Sequence, residues 1–193
     1  MNEPILRFRP PVIILRPVMF ELCRLARNGY ETPRKREAFG FLYGRLSRQG
    51  RLEVRKAIDY RGGRRTRSGV CFDNPAAILR AFHRRWLIAR ALDMRFLGGF
   101  HSHVEIAGRV FCNLSREDLS SFRSDSEAGL EALMMVWAGG RRDAGGPNAV
   151  SAYEESTGYS YRLRVYAKRP AGIRRVRVRL AGNQRAGCSL TLP

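Results

Sequence analysis

Two histidines, His101 and His103, are the residues whose type and spacing point most clearly to chemistry. The chain has three histidines in all, and these two directly follow an apolar run, residues 96–100, typical of a buried strand. Side chains two residues apart along a strand point to the same face. Both imidazoles can therefore reach one point beside the strand end, which is a common way to hold zinc.

Two carboxylates are placed where they could serve such a site. Asp118 follows in the segment Ser115-Arg116-Glu117-Asp118, and Glu37 opens a glycine-rich apolar stretch, residues 37–44. Each element also has a simpler interpretation. Ser-x-x-Asp is a helix-capping pattern, Glu37 follows three basic residues and could form a surface ion pair, and the histidines could be core or loop residues. The three elements together favour a metal site.

This pattern resembles the signature of the JAB/MPN/JAMM metalloproteases: a glutamate before a glycine-rich strand, His-Ser-His at a strand end, then Ser-x-x-Asp. The resemblance covers residues 30–137 and includes Gly98 and Gly99 and a predicted helix at 75–92. It implies zinc ligands at His101, His103 and Asp118, with one position open to water. It also implies that Glu37 is the general base and that Ser115 stabilises the oxyanion.

The sequence departs from that family pattern at two points. Val104 follows the second histidine, where the family usually has proline, and fourteen residues, 104–117, separate His103 from Asp118, more than is usual. A longer loop is cheap to accommodate. Glu105, Cys112 and Glu117 remain alternative ligands, ranked below Asp118.

The elements that must position these residues can be predicted from periodicity and turn signals. The resemblance and the alternation of the two element types imply an α/β (α+β) fold, a mixed β-sheet sandwiched by helices and JAB/MPN-like. We expect a single domain of this type over 1–168 and a basic C-terminal tail over 169–193 with a possible edge strand. Predicted strands lie at 12–15, 39–46, 51–58, 70–72, 96–100, 132–137, 149–154, 159–167 and 173–180, and predicted helices at 17–29, at 75–92 and from about 115.

The net charge of +19 is extreme, and only Lys35, Lys56 and Lys168 among the 36 basic residues are lysines. Such a charge attracts acidic partners, including nucleic acid. A solvated surface of dispersed arginines explains it nearly as well. The tail carries a possible strip for acidic partners, formed by Arg174, Arg175, Arg177 and Arg179.

The function expected from the resemblance is that of a zinc isopeptidase or peptidase acting on ubiquitin-like or sulfur-carrier proteins, as conjugates or free tails. The alternatives are a non-catalytic scaffold and a nucleic-acid-associated protein. The four cysteines are scattered and the N-terminus makes a poor signal peptide, so we expect a cytoplasmic protein with no membrane segment.

Overall fold

Strands dominate the part of the chain that the structure describes. This computed structural model describes residues 8–72, 74–139, 148–182 and 190–191. The helices are α1 (Arg16–Tyr30), α2 (Pro75–Ala91) and α3 (Arg116–Ser124). The strands are β1 (Val12–Leu15), β2 (Phe39–Leu46), β3 (Leu52–Asp59), β4 (Arg64–Arg65), β5 (Val70–Cys71), β6 (Arg95–Val104), β7 (Leu130–Ala138), β8 (Ala149–Glu154), β9 (Tyr159–Arg169), β10 (Gly172–Val176), β11 (Val178–Ala181) and β12 (Leu190–Thr191).

Ten of these strands form one mixed sheet, and β4 and β5 form a small separate hairpin. The order in the large sheet is β11-β1-β3-β2-β6-β7-β9-β8-β12, with β10 also paired to β9. The strand that carries the histidines, β6, lies at the centre. It runs antiparallel to β2 and parallel to β7.

The two ends of the sheet lie close together. Strand β10 pairs with β9, and after a single intervening residue β11 pairs with β1, at the far end of the strand order. One residue cannot span a flat sheet. The sheet is therefore strongly curled and nearly closed.

The main core lies between α1 and one face of the sheet. Pro17 occupies the first turn of α1, where its missing N–H costs nothing, and the buried face of the helix packs on that core. Neighbouring residues of β7 point to opposite faces: Met134 belongs to the main core, whereas Leu133 and Met135 belong to a second cluster under α3. The histidines lie on this second side.

The predicted fold class is wrong. The protein is not an α/β (α+β) sheet sandwiched by helices, as in the JAB/MPN fold, but a mostly β structure of one nearly closed mixed sheet with three helices in the described residues. The sequence suggested alternation because helices do separate the strands up to β7. From residue 149 onward the described elements are all strands, and their long-range pairing closes the sheet.

The predicted tail contributes to this sheet. Its residues 172–176 and 178–181 form β10 and β11, and β11 lies at one end of the strand order. The division into a domain at 1–168 and a tail at 169–193 stays a prediction.

Candidate metal centre

His101 and His103 lie near the end of β6 and are both buried. His101 is paired with Phe39 of β2 on one side and with Leu133 of β7 on the other. Paired residues in adjacent strands share a face, so both imidazoles point toward α3 and the second cluster. The two rings lie 5.1 Å apart.

Asp118 reaches the same point from the first turn of α3. Its Oδ2 lies 3.6 Å from Nε2 of His101 and 3.6 Å from Nε2 of His103. The backbone N–H of Ser115 donates to this oxygen at 2.8 Å, and the Ser115 hydroxyl accepts from the N–H of Asp118 at 3.0 Å. This capping box fixes the carboxylate in front of the histidines.

The other ring nitrogen of each histidine is already held. Nδ1 of His101 lies 2.7 Å from Oε1 of Glu131, and Nδ1 of His103 lies 2.7 Å from the carbonyl oxygen of Phe111. Metal-binding histidines generally donate their second N–H to a carboxylate or carbonyl in this manner. Gly99 makes room for Glu131, because a Cβ at that position would lie 2.7 Å from Oε2 of the carboxylate.

The three residues His101, His103 and Asp118 could hold a metal ion. Their ligand atoms all lie within 4.8 Å of one another. In a tetrahedral site with bonds of about 2.1 Å the ligand atoms lie about 3.4 Å apart, close to the 3.6 Å between Asp118 and each imidazole. Among the described residues, the buried Nε2 of His101 makes no hydrogen bond, and its contact with Asp118 is at ion-pair distance, so this nitrogen is available to a metal ion.

The charges of the site are strongly coupled. Burial alone would lower the pKa of His101, but its contacts with Asp118 and Glu131 raise the pKa to about 10. Burial alone would raise the pKa of Asp118, but contact with the two imidazoles holds it well below its usual range. These opposite shifts favour a charged His101 beside a charged Asp118.

Glu37 lies on the same side of the sheet, just before β2. The Ser102 hydroxyl accepts from the N–H of Ala38 at 2.7 Å, and the N–H of Ser102 donates to the Ala38 carbonyl at 2.9 Å. These bonds extend the pairing of β2 with β6 and place Glu37 beside His103. Burial raises the pKa of Glu37 to about 7, although the charges of the two nearby imidazoles act in the opposite direction.

The structure thus brings four of the predicted site residues together. Glu37, His101 and Asp118 line one cleft of about 220 Å³, and His103 lies beside Asp118. Ser115 is exposed, and its hydroxyl caps α3. Its role toward an oxyanion stays a prediction.

The alternative ligands do not join this group. Glu105 accepts a hydrogen bond from Tyr30 at 2.7 Å and lies 3.7 Å from Lys35. The Cys112 thiol lies 3.4 Å from the carbonyl oxygen of Val110, and Glu117 is exposed. In the described parts of the chain, the ligand group consists of His101, His103 and Asp118.

Comparison with known proteins supports the fold and leaves the chemistry open. No family model matches the chain, and no curated protein matches it. The solution structure of protein DSY2949 from Desulfitobacterium hafniense is similar, with a TM-score of 0.58 over 90% of this chain and 94% of that chain. The two sequences are 14% identical, so this likeness concerns the fold alone.

The loop between His103 and α3 is fixed by residues that the sequence did not reveal. Arg164 of β9 donates to the carbonyl of Cys112 and, at 2.9 Å, to Oδ1 of Asn113. The loop is thereby held so that the Phe111 carbonyl reaches His103. Arg164 and Glu131 are both distant from the histidines in sequence, and only strand pairing brings them near.

The arginine strip lies apart from this cavity. Arg174 and Arg175 are exposed on β10, Arg177 is exposed between the strands, and Arg179 is exposed on β11. None of the four is among the described residues that line the cleft. No helix in the described ranges combines the length and apolar character that a membrane crossing requires.

Proposed function

We propose that this protein is a zinc-dependent hydrolase of amide bonds, a peptidase or isopeptidase. One observation carries the proposal: a buried carboxylate, Glu37, lines the same cleft as His101 and Asp118 of the His-His-Asp group that could hold a metal ion, and Nδ1 of each histidine is already held. A carboxylate in that position is suited to accept a proton from a water in the cleft and return it to a leaving group.

The side chains of the site would bind the metal, transfer the proton and stabilise the oxyanion. His101, His103 and Asp118 would hold zinc, which acidifies water and polarises a carbonyl. Glu37 accepts the proton of the attacking water as the new C–O bond forms. It delivers that proton to the leaving nitrogen as the C–N bond breaks. Ser115 lies at the N-terminus of α3 and would donate its hydroxyl hydrogen to the developing oxyanion.

The substrate class comes from the resemblance of the residue pattern to the JAMM metalloproteases. We propose ubiquitin-like or sulfur-carrier proteins, cut after the C-terminal glycine of an extended tail. Such a tail can bind a sheet as an added strand.

The test combines metal content with cleavage. A ubiquitin-like protein is joined through its terminal glycine to a reporter, in one substrate by a peptide bond and in another through a lysine side chain. We expect about one zinc per chain, and cleavage that stops with a chelator and returns with zinc. Asp118→Asn should lose both zinc and cleavage.

A folded, zinc-loaded protein that cleaves neither reporter would contradict the hydrolase proposal. A folded protein that takes up no zinc would contradict the metal assignment. Circular dichroism on each variant separates these outcomes from a loss of structure.

A further inference from the structure

A second cavity, rich in arginine, adjoins the candidate metal centre. Its volume is about 1010 Å³, and six arginines line it: Arg34, Arg36, Arg61, Arg64, Arg65 and Arg67. We name it the arginine groove. Glu37 lines both this groove and the cleft of the metal centre. A ligand in the groove would therefore lie next to the proposed general base.

The two walls of the groove are tied to each other. The N–H of Glu37 donates to the Thr66 carbonyl at 2.9 Å, and Nε of Arg67 donates to the Arg34 carbonyl at 3.3 Å. These contacts join the segment before β2 to the β4–β5 hairpin. The groove is thus a defined concave surface between two connected segments.

The positive charge of the groove is only partly balanced within it. Two of the described residues that line it are carboxylates, Glu37 and Asp59. Asp59 already pairs with Arg61 at 2.9 Å and with Arg65 at 2.6 Å. Arg34 and Arg36 are exposed on the opposite wall. The groove therefore presents an excess of guanidinium groups to any ligand.

We infer that the arginine groove binds an acidic segment of the polypeptide substrate, beside the bond to be cut. This inference rests on the proposed function, because it assigns the groove to the substrate of the same site. Guanidinium groups bind carboxylates in a planar, two-pronged geometry. The groove would accordingly repel a basic tail and select an acidic one.

A protein ligand fits the groove better than single-stranded nucleic acid. Proteins that bind single strands generally stack bases on aromatic side chains. Among the described residues that line the groove, none is aromatic. The position of Glu37 on its wall also links the groove to amide chemistry rather than to a phosphate backbone.

The inference can be tested by binding, independently of cleavage. The zinc-loaded chain of 193 residues is titrated into fluorescein-labelled short peptides rich in Asp and Glu. Matched peptides carry Asn and Gln or Lys instead, and a single-stranded oligonucleotide carries the same negative charge as the acidic peptide. Anisotropy measures binding near physiological salt, and mass spectrometry reports cleavage in parallel.

The acidic peptide should bind at least about tenfold more tightly than its amide counterpart, and binding should weaken with salt. The triple variant Arg34→Gln, Arg36→Gln and Arg61→Gln should weaken binding about tenfold, since each exposed pair contributes modestly. The matched control is Arg80→Gln, Arg84→Gln and Arg90→Gln, which removes three exposed charges from α2. It should change binding by less than about twofold.

Other results of this binding experiment would either contradict the inference or separate it from the proposed function. Equal binding of the acidic and amide peptides overturns the inference, as does an equal loss in the control variant, which would indicate generic attraction. Preferential binding of the oligonucleotide, lost in the groove variant, overturns it in favour of nucleic acid. Groove-dependent binding of the acidic peptide, by a protein that cleaves neither ubiquitin-like reporter, supports the acidic ligand of the groove and counts against the hydrolase proposal. If the triple variant does not fold, Arg36→Gln compared with Arg84→Gln provides the same comparison.

Discussion

Glu37 is the side chain on which the proposed chemistry depends. Its replacement in Glu37→Gln preserves shape and removes the proton acceptor, so zinc content and fold should stay as in the wild type. Turnover should fall by about 10²–10⁴-fold, the usual contribution of a general base. Elemental analysis, circular dichroism and initial rates measure the three quantities. Wild-type turnover in a zinc-loaded Glu37→Gln protein would show that Glu37 is not the base.

The raised pKa of His101 makes zinc binding depend on pH. Without metal His101 keeps its proton up to a pKa of about 10, whereas zinc needs the neutral imidazole. Binding therefore expels a proton, and affinity should rise about tenfold per pH unit between about pH 6 and about pH 8. Calorimetry in buffers of different ionisation enthalpy measures the proton released.

The matched variant for this experiment is Glu131→Gln. Glu131 is one of the two carboxylates that raise the pKa of His101, so its removal should reduce the number of protons released. It should also weaken zinc binding by about 10–100-fold, because the imidazole loses its partner. An affinity for zinc that does not change with pH would contradict the protonation state assigned to His101.

At the scale of single residues, the sequence could predict the three residues that could hold a metal ion, but not the groups that support them. His101 and His103 share a face because of a two-residue spacing that is visible in the chain, and Asp118 was predicted from the resemblance of Ser-x-x-Asp to the family pattern. Glu131 contacts His101 only because β6 and β7 pair in parallel with Gly99 opposite Glu131. Such a register depends on the pairing of strands that are distant in sequence, so the local periodicity of each strand cannot predict it.

At the scale of elements, helix α3 carries Asp118 in its first turn, and the Ser115 cap at its N-terminus stabilises that turn. Ser115→Ala removes the hydroxyl acceptor but keeps the backbone N–H that binds Asp118. The free energy of unfolding should fall by about 1 kcal/mol, while zinc affinity stays close to that of the wild type. Turnover measured below the unfolding transition then isolates any role of the hydroxyl toward an oxyanion. A large loss of zinc would show that the hydroxyl also orients the carboxylate.

Most individual elements were predictable, and their assembly was not. The helices at Arg16–Tyr30 and Pro75–Ala91 and the hairpin of β2 and β3 lie close to the expected positions, because apolar spacing and proline are local signals. The helix-sandwiched fold was wrong because the pairing of β11 with β1 joins residues at opposite ends of the described chain. No local pattern encodes that contact.

At the scale of the whole molecule, the net charge of +19 acts over distance. Exposed charges are screened within about 8 Å at physiological salt, and the strip of Arg174, Arg175, Arg177 and Arg179 is not part of the cleft. Replacing all four with Gln should weaken association with acidic partners mainly at low salt. Turnover at saturating substrate should stay nearly unchanged. A large fall in that rate, with zinc and fold intact, would place the strip in the active site.

The pairing of β1 with β11 also matters during synthesis of the chain, because the sheet cannot close until β11 has been made. Strand β1 is made early, but its neighbour β11 leaves the ribosome only after nearly all other described strands. Until then β1 presents an open edge, which is a template for pairing with other chains. A chain ended at residue 168 would keep that edge permanently, so we expect it to aggregate, as light scattering would show, while a chain that includes β11 stays dispersed.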